Sequence, residues 1–183
     1  MAETVDRSCR RFLPGAYLTL DTFIRTYSDA LVRFAYTFVH DSAAAEDIAA
    51  EAVAVFYMKA KKFPDEAHLR AYLYKIARHK AIDYLRRNKN LVPLEDLENI
   101  LSTDAPEQDL FRRERDLVLY RCMERLPRQY AQVLQLSYLE DLPVKQVCAV
   151  MGLGSKQVYN LLSRAKTSLR NLLEKEGITR EDL

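Results

Sequence analysis

Apolar residues recur at steps of three and four along most of this 183-residue chain, which is the period of amphipathic α-helices. A broad apolar face predicts a first helix over residues 18–39. Asp41 or Ser42 is placed to cap a second helix, which the pattern extends to about Lys61. A third helix is predicted over residues 69–90, because this stretch lacks Gly and Pro and consists mostly of good helix formers.

The helical pattern fails after residue 90 and resumes at residue 110. The stretch between contains two prolines and no basic residue, so a linker is predicted there. Pro127 is placed at a helix start, and a short helix is predicted over 144–151. Gly152 and Gly154 then predict a tight turn before the last long helix. A short helix, a glycine turn and a longer helix form the pattern of a helix-turn-helix.

Charge is distributed unevenly, although the net charge is only +2. Between residues 59 and 89 there are ten Lys or Arg and three acids, whereas residues 90–111 hold six acids and no base. Aromatic residues lie among these cations at Phe63, Tyr72, Tyr74 and Tyr84. Cations attract phosphate and rings stack on bases, so the stretch suits single-stranded nucleic acid. A solvated basic face with core tyrosines has the same composition, and charge alone leaves both open.

Several classes of function find little support in the sequence. No apolar run is long enough to cross a membrane, and the N-terminus lacks the apolar core of a signal peptide, so we expect a cytoplasmic protein without membrane insertion. Three distant cysteines predict neither a disulfide framework nor a metal site, and Cys122 and Cys148, which sit in helical apolar patterns, are expected to be reduced core residues. The histidines lack metal-ligand spacing, and no Gly-rich phosphate loop is present. We therefore expect no metal, no cofactor and no catalytic residue.

The word order of the third helix is more specific than its composition. The segment L-x-x-I-A-R-x-x-A-I-D-Y-L-R-R, from Leu73 to Arg87, closely resembles the DNA-melting segment of the extracytoplasmic-function sigma factors, within the sigma-70 superfamily. In that family the loop before this helix, here 61–68, reads an extruded base of the −10 element. The resemblance thus implies single-strand binding by a group of residues in the loop and the helix. They are Phe63, Lys75, Arg78, His79, Asp83 and Arg86.

The second predicted helix resembles the polymerase-binding segment of the same family, whose pattern is A-E-D-x-x-Q-E-x-F. Ala50 stands in place of the usual Gln, and Val53 in place of the usual Phe. The resemblance implies that the acids of this segment bind core RNA polymerase. These acids are Glu46, Asp47 and Glu51. The alternative is that they are helix-start charges on a solvated face.

The C-terminal helices resemble sigma region four, which binds the −35 element as duplex DNA. Eleven positions match the family pattern: Leu126, Pro127, Val133, Leu134, Leu136, Tyr138, Gly152, Val158, Leu162, Arg164 and Ala165. Tyr159 and Leu161 stand where basic residues are common, and Gln157 stands where Thr is common. The residues expected to contact duplex DNA are Ser155, Lys156, Gln157, Tyr159, Asn160, Ser163, Arg164 and Lys166.

The combined prediction is an all-α protein with two small helical domains joined by an acidic linker. Sigma region 2 is expected over 18–90, the linker over 91–109 and the sigma region 4 helix-turn-helix over 110–177. A flexible N-terminus, 1–17, and a C-terminal tail, 178–183, complete the chain. The resemblance implies a sigma factor without chemistry of its own, whose partners are core RNA polymerase and promoter DNA. Control by an anti-sigma factor is usual in the family.

Two other functions compete with this interpretation. A free-standing helix-turn-helix regulator with an N-terminal helical sensor domain explains the C-terminal half equally well, but not the basic aromatic helix. An enzyme acting on nucleic acid, such as a nuclease, is disfavoured because the carboxylates are scattered along the chain.

Overall fold

The computed structural model describes residues 20–59, 63–88 and 114–177, and every regular element within these ranges is helical. The predicted flexible N-terminus, acidic linker and C-terminal tail lie outside the described residues. The helices form two compact units, the first containing the helices up to Arg86 and the second most of those that follow. No helix in the described ranges combines the length and the apolar composition needed to span a membrane. Because every regular element that the structure describes is helical, the all-α prediction is confirmed.

The first unit consists of three helices, α1 (Leu20–Val39), α2 (Ser42–Met58) and α3 (Glu66–Arg87). His40 separates α1 from α2 in a left-handed conformation, with φ of 51°. Asp41 then caps α2, because its side chain accepts a hydrogen bond of 2.7 Å from the backbone N–H of Ala44. Of the two predicted caps, Asp41 is the one used.

Helix α3 begins at Glu66, earlier than the predicted start at Leu69. Asp65 explains the difference, because its side chain accepts a 2.8 Å hydrogen bond from the backbone N–H of His68. A carboxylate in this position satisfies an N–H group that the first turn would otherwise leave unpaired. The helix ends at Arg87, before the predicted end at residue 90.

Stacked aromatic rings fill the core of the first unit. Phe56 of α2 is buried and lies 5.1 Å from Phe23 of α1, with the two rings nearly parallel. Phe63, in the loop before α3, also stacks on Phe56 at 5.7 Å. Phe34 of α1 packs edge-on against Tyr74 of α3 at 5.0 Å. Rings from all three helices therefore hold the unit together.

Two side chains of this unit differ from the sequence-based assignment. Ile24, placed on the apolar face of α1, is 41% exposed, because it lies about 100° around the helix from Phe23 and outside the buried stripe. Tyr74 was placed among the cations as a ring for base stacking, but it is only 1% exposed. Its ring packs in the core against α1 and is not available to a base.

A part-buried hydrogen bond joins α1 to the start of α3. The Tyr27 hydroxyl donates to Oε1 of Glu66 at 3.2 Å, and the Tyr27 side chain is 5% exposed. Burial, followed by the nearby Glu66 carboxylate, raises the pKa of Tyr27 to about 12. Both causes disfavour the phenolate. The bond holds the first turn of α3 in place beside the loop that carries Phe63.

The second unit contains α4 (Glu114–Glu124), α5 (Arg128–Leu134), α6 (Val144–Met151) and α7 (Ser155–Lys175). Pro127 occupies the N-cap position of α5, in agreement with the predicted helix start, and Pro143 occupies the N-cap position of α6. An ion pair of 2.6 Å between Arg125 and Glu176 ties the end of α4 to the end of α7. Cys122 is fully buried, and burial raises the pKa of its thiol, consistent with an unreactive core residue.

Helix α5 continues as one π-helical turn, Gln135–Leu139. The backbone N–H of Glu140 donates to the carbonyl of Gln135 at 2.9 Å, which is the i to i−5 bond of a π-helix. Within this turn Tyr138 is 54% exposed and Leu139 is 39% exposed.

Gly152, in the turn of the helix-turn-helix, adopts a backbone conformation that favours glycine. It closes α6 in the left-handed conformation, with φ of 71°, and a Cβ added there would meet nothing within 4 Å. Replacing Gly152 with Ala should therefore cost only backbone strain, about 1 kcal/mol of unfolding free energy. Gly152→Asn should cost less, since Asn tolerates this conformation. Denaturant unfolding of both variants tests this order, and equal losses would show that packing decides the site.

The raised pKa of Tyr27 predicts how stability changes at alkaline pH. Because the folded pKa of about 12 exceeds the ordinary 10.0, the contribution is complete below pH 10.0 and is lost as pH rises towards 12. Tyr27→Phe should lower the unfolding free energy by about 1 kcal/mol at neutral pH and flatten this alkaline decline. Unfolding free energies measured against pH check both effects. Tyr159→Phe, at an exposed ring, is the control, and an equal alkaline slope in both variants would contradict the assignment.

Candidate binding surfaces

The acidic face of α2 is solvent-accessible. Glu46, Asp47 and Glu51 are all exposed, as the sequence predicts. Glu51 is nevertheless not an isolated charge, because its carboxylate lies 2.9 Å from Nζ of Lys80 on α3. Glu46 and Asp47 form no ion pair with any residue that the structure describes. The sequence could not show the bond to Lys80, because it joins residues on different helices.

Phe63 in the loop before α3 is half-buried. Its ring stacks on Phe56 and also lies 5.4 Å from the ring of Tyr72. Residues 61 and 62 of the predicted base-reading loop lie outside the described ranges, while Pro64, Asp65 and Glu66 are exposed. The contacts with these two rings thus hold Phe63 beside the start of α3.

The end of this loop is fixed by a local network at the start of α3. Nδ1 of His68 lies 2.8 Å from both carboxylate oxygens of Asp65. The backbone N–H of His68, followed by its side chain, holds the pKa of Asp65 below its ordinary value. The carboxylate therefore remains charged at neutral pH and keeps its role as helix cap.

One stripe of α3 combines the predicted single-strand-binding residues. Lys75, His79 and Arg86 are exposed and recur at intervals that place them on one side of the helix. Half-buried Tyr72 lies on the same side, one turn before Lys75. Asp83, also exposed, pairs with Arg86 at 3.7 Å rather than with His79. The stripe therefore presents cations, an imidazole and a ring edge to solvent.

Arg78 occupies a different position from the other predicted cations of α3. Its side chain is half-buried, and its Nε atom is buried without a hydrogen-bond partner among the described residues. Burial lowers the pKa of its guanidinium. Arg78 lies about 100° around the helix from His79, so it borders the stripe rather than belonging to its centre.

The helix-turn-helix exposes one face of α7. Val158, Leu162, Ala165 and Leu173 are buried. All eight residues predicted to contact duplex DNA are exposed: Ser155, Lys156, Gln157, Tyr159, Asn160, Ser163, Arg164 and Lys166. The structure brings them together on a single helix. Helical spacing also places Thr167 and Arg170, which the sequence analysis omitted, in line with Lys156 and Ser163, and both are exposed.

Gln157 also helps to cap α7, a role that was not predicted from the sequence. Its Oε1 atom accepts a 2.8 Å hydrogen bond from the backbone N–H of Gly154, which is the N-cap of α7. This is the reciprocal half of a capping box, with glycine in place of the usual hydroxyl residue. The amide group of Gln157 keeps its N–H donors for a ligand, but the cap restricts its orientation.

Arg164 and Lys166 lie on opposite flanks of this exposed face. They are two positions apart, which corresponds to about 200° of rotation around the helix axis. Ser163 and Lys156 lie near the middle of the face between them. Among the described residues, no group of three or more His, Cys, Asp or Glu side chains could hold a metal ion.

Comparison with known proteins accounts for both units. Residues 23–91 match the family model of sigma-70 region 2, and residues 116–169 match that of sigma-70 region 4. The chain is 28% identical over 156 residues to the ECF RNA polymerase sigma factor SigM of Bacillus subtilis, covering 85% of this chain and 95% of SigM. It is 29% identical over 160 residues to the RNA polymerase sigma-E factor of Streptomyces coelicolor, covering 87% and 88% of the two chains.

Two solved structures share the fold. One is the sigma factor RpoE in complex with the anti-sigma factor NepR from Bartonella quintana, with a TM-score of 0.66, 17% identity and coverage of 84% of this chain and 96% of that one. The other is CnrH in complex with the cytosolic domain of CnrY, with a TM-score of 0.57, 20% identity and coverage of 88% and 91%. With two region models matched in order and relatives along nearly the whole chain, this protein belongs to the extracytoplasmic-function sigma factors of the sigma-70 family.

Proposed function

We propose that this sigma factor binds core RNA polymerase, recognises the −35 and −10 elements of promoters and assists strand opening. The observation that carries the proposal is that one chain presents two separate exposed surfaces suited to DNA. The α7 face has the residue types that read a duplex, and the α3 stripe has those that hold single strands. A simple duplex-binding regulator has no need of the second surface.

The α7 face suits a major groove. Lys156, Asn160 and Ser163 can donate to or accept from base edges near its middle. Arg164 and Lys166, on the opposite flanks, are long enough to reach the two phosphate backbones that border a groove. Tyr159 is 60% exposed and offers its ring to apolar contact. We assign base choice to the middle residues and positioning to the flanks.

The α3 stripe and the loop before it suit a melted strand. Unstacking one base costs a few kcal/mol, which new stacking and phosphate contacts must offset. Phe63, whose ring stacks on Phe56, is placed to stack on a base as well. His79 can form a hydrogen bond with a base. Lys75 and Arg86 supply charge along the backbone of the strand. We propose that the strand lies along this stripe, with Arg78 and Asp83 at its border.

The acidic face of α2 is the proposed contact with core RNA polymerase. Glu46 and Asp47 are exposed, and neither has an ion-pair partner among the described residues, so a cationic partner meets no competing intramolecular charge. Glu51 differs, because a partner that binds it has to compete with Lys80. Asp47 is therefore the sharper residue to test.

We also propose that an anti-sigma factor controls this protein. Both solved neighbours are described as complexes, RpoE with the anti-sigma factor NepR and CnrH with the cytosolic domain of CnrY. A partner that covers the acidic face of α2 would block the polymerase contact without touching either DNA surface. Co-purification from the native host, with and without competing core polymerase, tests this form of control.

Run-off transcription tests the central proposal. The purified chain is added to core RNA polymerase on genomic fragments, and the start sites of the transcripts are mapped. Defined start sites that depend on the added chain support the sigma-factor function. Duplex binding without association with core polymerase would instead favour the free-standing regulator.

Reversing the charge of Asp47 should weaken assembly with core polymerase. Asp47→Lys places a cation where the partner is expected to be cationic, and such like-charge contacts cost at least about 1.4 kcal/mol, or roughly tenfold in affinity. Because Asp47 is exposed, the unfolding free energy should change by no more than about 0.5 kcal/mol. Binding of labelled core polymerase measures the first effect, and denaturant unfolding the second.

Asp29→Lys is the matched control, because it makes the same exposed charge reversal on α1. For Glu51 the informative comparison is Glu51→Lys alone against Glu51→Lys with Lys80→Glu, which restores an ion pair in the reverse direction. If the double variant assembles normally and the single one does not, Glu51 acts through Lys80 rather than through polymerase. Normal assembly of Asp47→Lys would remove the acidic face from the proposal.

The strand-opening surface predicts a template-dependent defect. His79→Ala removes an exposed donor, and Phe63→Leu removes the ring while keeping an apolar contact with Phe56. Each should slow opening of a duplex promoter by roughly fivefold or more, equivalent to about 1 kcal/mol of lost base contact. Fluorescence of a base analogue in the −10 region follows opening directly.

A template whose −10 region is already mismatched provides the internal control. The variants should be much less impaired on it, because the cost of unstacking is already met. Equal defects on both templates, or on neither, would show that Phe63 and His79 do not capture the melted strand.

A further inference from the structure

Tyr138 is the exposed aromatic residue that the proposed DNA contacts do not use. It projects from the π-helical turn at the end of α5, and its side chain is 54% exposed. Nζ of Lys166, on α7, lies 4.8 Å from the centre of the Tyr138 ring. This distance is within the reach of a cation–π interaction. Tyr138 therefore contacts one of the two flanking cations of the exposed α7 face.

Tyr138 lies within the π-helical turn. The i to i−5 hydrogen bond of this turn, from Glu140 to Gln135, makes it one residue wider than a regular α-helical turn. Such turns within α-helices are frequent at functional sites. In this one the exposed ring of Tyr138 meets a lysine of the neighbouring helix.

Lys166 contacts an aromatic ring, whereas Lys80 contacts a carboxylate, and this difference affects the ability of each lysine to bind a phosphate. Lys80 is held by the carboxylate of Glu51, whose negative charge would repel a phosphate. Lys166 has no carboxylate within ion-pair distance among the described residues. A tyrosine ring restrains an ammonium without neutralising it, and leaves its outward N–H donors available.

We propose that Tyr138 is a positioning residue for duplex DNA, whose ring holds the Lys166 ammonium at the flank of α7 ready to bind a backbone phosphate. The inference rests on the proposed function of α7 and names a residue outside the recognition helix on which that function depends. A free lysine side chain loses much rotamer freedom when it binds a phosphate. A ring that already restrains it reduces this loss.

The test measures affinity of the full chain for a labelled duplex DNA of arbitrary sequence, since a phosphate contact does not depend on sequence. Tyr138→Leu should weaken binding by about two- to fivefold, the range expected when one long side chain is no longer ordered before it binds. Tyr138→Phe keeps the ring and should bind like the unchanged chain. Lys166→Met should weaken binding and lower the salt slope by about one unit.

The decisive comparison is the double variant. With Met at position 166 the ring has no cation to hold, so adding Tyr138→Leu should cause no further loss of affinity. Lys175→Met, an exposed lysine nine positions further along α7, controls for the change in net charge. Thermal unfolding of every variant separates folding defects, which would persist without Lys166, from the coupled effect.

Three results would overturn the inference. Tyr138→Leu could bind as tightly as the unchanged chain or more tightly, its effect could add fully to that of Lys166→Met, or Tyr138→Phe could lose as much as Tyr138→Leu. If the unchanged chain binds duplex DNA and any of these is found, only the role of Tyr138 fails. If the unchanged chain binds no duplex, alone or with core polymerase, the proposed function of α7 fails as well.

Discussion

The stacking of aromatic rings on Phe56 is the interaction on which the first unit depends. This ring, 2% exposed, stacks with both Phe23 of α1 and Phe63 of the loop before α3. Truncating a buried phenylalanine to Ala typically costs about 3–5 kcal/mol, a large share of the stability of a small domain. The same ring supports the helix that carries the acidic face and the loop that carries Phe63. Both surfaces therefore belong to the same packed unit, and the Glu51–Lys80 ion pair adds a second link between α2 and α3.

Helix positions and the division of each helix into buried and exposed faces could be predicted well from sequence. Both are local properties, since periodicity fixes the faces and residues such as Asp41 and Gly152 fix the ends. The exposed face of α7 follows from the buried positions of Val158 and Leu162 alone. At the start of α3, where the predicted boundary was three residues late, a local cap by Asp65 explains the difference.

Features that depend on contacts between distant residues could not be predicted. Tyr74 is flanked by Lys75 and resembles a surface ring in sequence, but Phe34 of another helix buries it. The link from Glu51 to Lys80 and that from Tyr138 to Lys166 also join residues far apart in sequence. The π-helical turn has no sequence pattern of its own. The capping role of Gln157 could have been predicted, because glutamine at the third helical position is a known capping signal. The sequence pattern was interpreted only as a DNA contact.

The separation of faces on α7 has a consequence for engineering. The residues that fold the helix into the unit, such as Val158 and Ala165, are not those that face outward, such as Asn160 and Ser163. Most outward positions can therefore be varied at about 0.5 kcal/mol or less each, so a library that retargets the protein to other DNA sequences need not be screened for folding. Gln157 is the exception, because a change there also alters how the helix begins. Libraries that keep this one residue constant should yield altered specificity with an intact scaffold.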